Sequence, residues 1–246
     1  MVLSLYKPAG LTPLQALDLL REQFPQYKTE KLSYAGRLDP LAEGVMLVLV
    51  GEANFSREQY LGLPKVYEAE ILLGVSTDTG DLMGLMTEFK LNEEVVLESR
   101  VRESLAELVG IFEQEYPQFS SPKIAGRRRL EDKTLISKQV EITALDFVSL
   151  TEINGLDLLN NINSRIDKVA GDFRQMEIKA AWAKILADQK EATFPLIKIK
   201  VSASSGVYVR VLAEKIGRNL GVPALAYSIK RLSVGDYPID TALKLE

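Results

Sequence analysis

Ser33-Tyr34-Ala35-Gly36-Arg37-Leu38-Asp39-Pro40-Leu41-Ala42-Glu43-Gly44-Val45-Met46-Leu47-Val48-Leu49-Val50-Gly51 sets an acidic side chain in a tight loop just ahead of an unbroken apolar run. The run Val45 to Val50, closed by Gly44 and Gly51, reads as a buried strand. A carboxylate at the mouth of a core strand has two readings. It caps the turn by bonding nearby backbone, or it is a reactive group. The rest of the chain has to decide between them.

Composition narrows the chemistry. A chain of 246 residues with 46% hydrophobic content is long enough for a substantial core, and one domain over 1–246 is expected. No stretch approaches the roughly 20 apolar residues of a membrane span. Met1-Val2-Leu3-Ser4-Leu5-Tyr6-Lys7 lacks the pattern of a secretion signal, so a cytoplasmic location is expected. There is no cysteine and no histidine. Thiolate nucleophiles, Cys- or His-held zinc, a Ser–His–Asp triad and a histidine base are therefore excluded. An enzyme of this composition works with carboxylates, Lys, Tyr, Ser/Thr or an oxygen-bound metal. The net charge of −4 argues mildly against a nucleic-acid partner, but Lys123 and Gly126-Arg127-Arg128-Arg129 follow closely on an acidic stretch. Local basic patches, not the sum, make phosphate contacts.

Periodicity supplies the elements. Thr12-Pro13 opens a helix that ends before Pro25, and Val66 to Leu73 alternates as a half-buried strand with Tyr67, Ala69, Ile71 and Leu73 on one face. A loop from Gly74 to Asp81 follows. Val95, Val96, Val101, Leu105, Leu108 and Val109 predict a helix over Asn92 to Phe112, then a loop from Gln114 to Lys123. Thr151 to Lys190 reads as a helical hairpin, its second helix opened by a capping box of Asp172 and Gln175. Leu196 to Ala203 alternates as a strand, and Ser204-Ser205-Gly206 turns into a helix that stops at Gly221. Helix starts of this kind suit phosphates and carboxylates.

Several separated pieces resemble one family in order. Gly36-Arg37-Leu38-Asp39-Pro40-Leu41-Ala42-Glu43-Gly44 resembles the catalytic-aspartate motif of TruB-type tRNA pseudouridine synthases. Tyr6-Lys7-Pro8-Ala9-Gly10-Leu11-Thr12 is similar to that family's opening motif. Lys65-Val66-Tyr67 and the Gly74-x-x-Thr77-x-Thr79-x-Asp81-x-x-Gly84 pattern resemble its second strand and loop. Tyr116 to Lys123 is a looser match to the segment leading into its RNA-gripping thumb. Ser204-Ser205-Gly206-Val207-Tyr208-Val209-Arg210, with Lys230-Arg231-Leu232, is similar to its last motif.

The resemblance implies an α+β pseudouridine synthase fold: a mixed, largely antiparallel central sheet with flanking helices, plus the helical hairpin as an insertion at about 151–190. It implies isomerisation of the T-loop uridine of tRNA (position 55), with Asp39 as nucleophile, Arg210 beside it and Tyr67 stacked on the base. The reaction adds no atoms and changes no oxidation state, so it needs no cofactor and no metal. The expected partner is the T-arm and elbow of tRNA, bound by a monomer through Tyr34, Arg37, Lys7, Asp81, Lys123, Arg127, Arg128, Arg129, Lys230 and Arg231. Tyr34 stands where the family wedges a histidine into the T-loop, and Arg37 where it has threonine. The chain ends soon after the last motif, so the family's C-terminal PUA module is expected to be absent. Other readings are a non-catalytic RNA-binding or tRNA-folding protein on the same scaffold, and a synthase for another RNA uridine. A glycosidase-like enzyme would need a second placed acid, for which Asp81 is the candidate.

Overall fold

The computed structural model describes residues 1–91, 96–117, 119, 123–124, 127–128 and 137–245, with the backbone alone at 123–124 and 127–128. In chain order the elements are β1 (Val2–Lys7), α1 (Pro13–Gln23), β2 (Leu32–Ala35), β3 (Glu43–Val50), α2 (Arg57–Leu61), β4 (Lys65–Leu73), β5 (Val75–Thr77), β6 (Met86–Phe89) and α3 (Glu98–Glu107). There follow β7 (Gly110–Glu115), β8 (Lys123–Ile124), β9 (Arg127–Arg128), β10 (Ser137–Asn154), α4 (Gly155–Ile166), α5 (Gln175–Leu186), β11 (Thr193–Ala203), α6 (Val209–Leu220), β12 (Ala224–Val234), β13 (Tyr237–Pro238) and β14 (Leu243–Lys244).

One sheet of ten strands organises the chain in the order β14-β1-β3-β12-β4-β11-β10-β7, with β2 on β3 and β13 on β12. Only β1–β14 and β12–β3 pair in parallel among its strands. The mixed, largely antiparallel sheet implied by the family resemblance is present. Successive strand residues face opposite sides, and β4 shows the consequence. Its Tyr67, Ala69, Ile71 and Leu73 pack with Val101 and Leu105 of α3 and with Leu212, Ala213 and Ile216 of α6. Leu72 instead joins Leu196, Leu225 and Tyr227 beneath Leu158, Ile162, Ile166, Ile178, Trp182 and Leu186 of α4 and α5. The helical hairpin therefore covers the face opposite α3 and α6. At the β3 end, Ala16, Leu17 and Leu20 of α1 close over Leu5, Met46 and Val48. Thr12 and Gln15 form a reciprocal capping box at the start of α1.

Four expectations are corrected. The helix over 92–112 is shorter: α3 ends at Glu107, while 92–95 lie outside the described residues. Gly110 at φ 118° breaks the helical path, and Gly110–Glu115 joins β10 as a strand whose alternate residues Phe112 and Gln114 turn inward. The predicted loop thus begins beyond Glu115. Thr151 to Asn154 belong to β10, and the hairpin starts at Gly155, with the Asn154 side chain accepting from Asp157 N. Asp172 and Gln175 form no capping box. Arg174, in a left-handed conformation at φ 63°, precedes α5, and the Gln175 amide reaches back to Val169 O and Gly171 O.

Candidate active site

The loop from Gly36 to Ala42 crosses from β2 to β3, and cations from two distant strands tie it down. Arg231 of β12 donates from Nε to Val45 O (2.6 Å), from Nη2 to Gly36 O (3.1 Å) and from Nη1 to Arg37 O (3.3 Å). The parallel pairing of Arg231 with Gly44 brings it there, and a Cβ at Gly44 would collide with the Arg231 backbone. Lys7, the last residue of β1, donates from Nζ to Leu11 O (2.7 Å), Pro8 O (2.9 Å) and Pro40 O (3.2 Å). Both side chains are fully enclosed. Burial pushes the Lys7 ammonium down to about 7, against the upward pull of Asp39. Burial also lowers Arg231, against the upward pull of Tyr67 and Asp39.

With its backbone held from outside, the loop leaves the Asp39 carboxylate facing an open cleft, its side chain 31% exposed. Arg210 Nε lies 2.9 Å from Asp39 Oδ2, as an ion pair rather than a linear hydrogen bond. Arg210 is the second residue of α6, and its fork is occupied on the far side as well. Nη1 donates to Thr79 O (2.5 Å) and Nη2 to Phe119 O (3.4 Å). Burial works against its charge, but Asp39 and Asp81 outweigh burial and raise its pKa.

Asp81 is differently placed. Its Oδ1 accepts from Thr79 Oγ1 (2.6 Å) and Met83 N (2.9 Å), and its Oδ2 lies 3.9 Å from Arg210 Nε. Burial raises its pKa and Arg210 opposes the rise. It is a turn-capping residue that also neighbours the arginine.

The cleft measures about 820 Å3 and is bounded by the Asp39 loop, Lys65 and Tyr67 of β4, the Ser205–Arg210 turn, Tyr116 and Phe119. That is ample for a nucleoside. Its lining carries six cations, Arg37, Arg57, Lys65, Lys138, Arg210 and Arg231, against the two acids Asp39 and Glu58. A chain of net charge −4 thus has a basic cleft. Such a surface favours a polyanionic ligand whatever the global charge.

The structure brings Asp39, Tyr67, Arg210, Tyr34 and Arg37 to this cleft. Arg231 supports the loop and also lines the cleft, Lys7 sits beneath the loop, and Asp81 stands behind Arg210. Lys230 points to the other side of β12, with Nζ 4.0 Å from Glu43 in a separate recess. Lys123, Arg127 and Arg128 belong to a two-stranded hairpin pairing Lys123 with Arg128 and Ile124 with Arg127. Arg129 lies outside the described residues.

Several contributors escaped the sequence reading. Lys65 donates to Leu61 O and Leu63 O at the cleft floor, and burial, with Arg231 and Lys138 nearby, lowers it to about 8. Gln114 of β7 accepts from Tyr208 N and donates to Gly206 O, which fixes the turn that delivers Arg210. A glutamine on an edge strand carries no sequence signal for that task.

A sequence profile described as "TruB family pseudouridylate synthase (N terminal domain)" matches residues 25–161. The tRNA pseudouridine synthase B of Bacillus licheniformis is 31% identical over 245 residues, covering 100% of this chain and 68% of the relative. That of Aquifex aeolicus is 30% identical over 240 residues, covering 98% of this chain and 70% of the relative. Among solved structures, a chain of a Cbf5-Nop10-Gar1 complex superposes with a TM-score of 0.63 at 19% identity. That match covers 99% of this chain, which spans about half of the other (52%). This likeness is one of fold.

Proposed function

We infer that this chain, which belongs to the TruB family of pseudouridylate synthases, isomerises uridine to pseudouridine in tRNA. The uracil–ribose C–N bond breaks, the base turns, and a C–C bond joins the same two partners. Asp39 is the reacting carboxylate, serving as nucleophile, and the target is the T-loop uridine. The observation that carries this reading is the Asp39–Arg210 ion pair of 2.9 Å at the floor of a basic, nucleoside-sized cleft. A carboxylate entering a pocket that excludes water needs a cation to keep its charge. Arg210 supplies it, and the two carbonyls behind Arg210 hold the guanidinium in place.

Reaching the base requires flipping it out of the folded RNA, at a cost of a few kcal/mol that stacking and phosphate contacts offset. Tyr67 offers a ring beside Asp39 for the flipped uracil. Tyr34 and Arg37, at the cleft rim, fill the space the base vacates and meet the backbone. Lys123, Arg127, Arg128 and Arg129 supply the positive charge that meets the elbow phosphates. The enzyme acts as a monomer, in the cytoplasm.

Incubation with an unmodified tRNA transcript, followed by carbodiimide-primed reverse-transcription stops, tests the reading. A stop at the T-loop uridine is expected, and it vanishes in Asp39→Asn. Pseudouridine formation by Asp39→Asn at the parent rate would refute the role of Asp39. Replacing Arg127, Arg128 and Arg129 with alanine is expected to flatten the plot of log affinity against log salt by about 2, since each phosphate contact contributes about 0.7–0.9. An unchanged slope removes the hairpin from the interface.

A further inference from the structure

The connection between α4 and α5 touches both loops that hold the Asp39–Arg210 pair. On one side, Ala170 N donates to Gly10 O (3.4 Å), and Gly10 N donates to Pro40 O (2.8 Å), next to Asp39. A Cβ at Gly10 would collide with the Lys168 carbonyl, so the approach is tight. On the other side, Arg174 forks onto Asp78, Nη1 to Oδ2 at 3.0 Å and Nη2 to Oδ1 at 3.4 Å. The same guanidinium lies 5.1 Å from the centre of the Phe119 ring. Asp78 is joined to Thr79, and Thr79 and Phe119 are the two residues whose carbonyls accept from Arg210.

One arginine thus grips both neighbours of a second arginine. A guanidinium can swing about its last bonds unless its far N–H groups are fixed, and only one orientation keeps Nε on Asp39. Arg174 is also the sole non-glycine residue with positive φ among the described residues, at 63°. A residue with a Cβ is disfavoured there, whereas glycine would fit without strain. The side chain, not the backbone, therefore explains an arginine at this position.

We propose that Arg174 is a positioning residue for catalysis: by holding Asp78 and Phe119 it fixes the two carbonyls that orient Arg210 on Asp39. The proposal rests on the catalytic reading of that pair. It gives the inserted hairpin a task that its charge does not suggest, since acids and bases are mixed along its exposed side. Arg174 touches no reacting atom and acts only through Arg210.

Arg174→Gly is the direct test, because it removes the fork while suiting the left-handed backbone. Two quantities are read: rotation of the Arg210 guanidinium about its Cζ–Nε bond by 15N NMR of the free protein, and the single-turnover rate of pseudouridine formation on a tRNA transcript. Rotation is expected to quicken. The rate is expected to fall about tenfold or more, as small misplacements in active sites do, with transcript affinity within about twofold. Arg174→Lys is expected to recover part of the rate by restoring the charge opposite Asp78. Asp78→Asn keeps an acceptor for Leu85 N and serves as a second route to the same break. It is expected to match Arg174→Gly, and the double variant to be no slower than either. Unchanged Arg210 rotation in Arg174→Gly and Asp78→Asn overturns the proposal, and so does faster rotation with an undiminished rate. If the parent protein makes no pseudouridine, the catalytic reading falls, and the rotation measurement still decides whether Arg174 orients Arg210.

Discussion

Two loops of this molecule turn around an aspartate beside the same arginine, and they use it in opposite ways. In the loop between β5 and β6 the acids hold the loop itself. Asp78 accepts from Leu85 N, and Asp81 accepts from Thr79 Oγ1 and Met83 N. In the loop between β2 and β3 the holding is done from outside by Lys7 and Arg231, which together reach five residues' carbonyls between Pro8 and Pro40, and Val45 besides. Asp39 is spared that work, and its side chain stays 31% exposed with Arg210 at 2.9 Å. The same residue type is structural where the loop consumes it, and it is left facing the cleft where the loop is tied by others. This also bears on the two-acid reading of a glycosidase: Asp81 is engaged on Oδ1 and buried, so it is no free second acid.

The comparison breaks most readily at the carboxylates. Asp39→Asn preserves shape and removes the charge; if Asp39 is the nucleophile as proposed, activity on tRNA is expected to fall by about 10⁴ or more, as loss of a nucleophile does elsewhere, with the melting temperature little changed. Next comes the outside tie. Arg231→Met leaves the carbonyls of Gly36, Arg37 and Val45 without a donor in a buried site, at about 1–3 kcal/mol for each group that water does not reach. A loss of about 3 kcal/mol, or about 6–12 °C in melting temperature for a chain of this size, is expected in a thermal scan. Asp81→Asn is smaller still. Asparagine keeps an oxygen for Thr79 and Met83 N, so activity is expected within about tenfold of the parent, the loss of roughly one charge interaction. Equal collapse of Asp39→Asn and Asp81→Asn would erase the distinction between the loops.

What was legible in the sequence follows from how local its cause is. Val45 to Val50 and the alternation of β4 announce themselves, because burial on both faces or on one leaves a direct imprint. The motifs around Asp39, Tyr67 and Arg210 marked three distant positions that the fold brings to one cleft. β10 was not legible, although it is 18 residues long: register shifts at Ile142/Ala144 and Phe147/Ser149 break its period of two. Lys7 and Arg231 read as basic residues fit for RNA, and only the pairings of β1 and β12 with β3 carry them beneath the loop. Arg174 was invisible for the same reason. Its partners Asp78 and Phe119 are 96 and 55 residues away in the chain, and no local pattern encodes such a contact.

The smallest expected effect separates the two ways of tying a loop by their response to pH. Burial lowers Lys7 to about 7 from an ordinary value of 10.5. Between those values the unfolded chain holds a proton at this site that the folded chain has released. Folding is therefore least stable below about pH 7 on this account, and it gains stability as pH rises towards 10.5. One proton gives a slope of at most about 1.4 kcal/mol per pH unit. Lys65, lowered to about 8, adds to the same trend above that pH. The loop held by its own acids contributes nothing of that sign: burial raises Asp81, so it favours the folded state at low pH and loses that advantage as pH climbs. Urea titrations from pH 7 to pH 9 are expected to show stability rising in the parent and rising less in Lys7→Met. That variant also removes the tether to Pro40 O, so its absolute stability is lower throughout. The slope, not the level, isolates the buried ammonium. An identical slope in both proteins would mean that Lys7 keeps its proton under the Asp39 loop across this range.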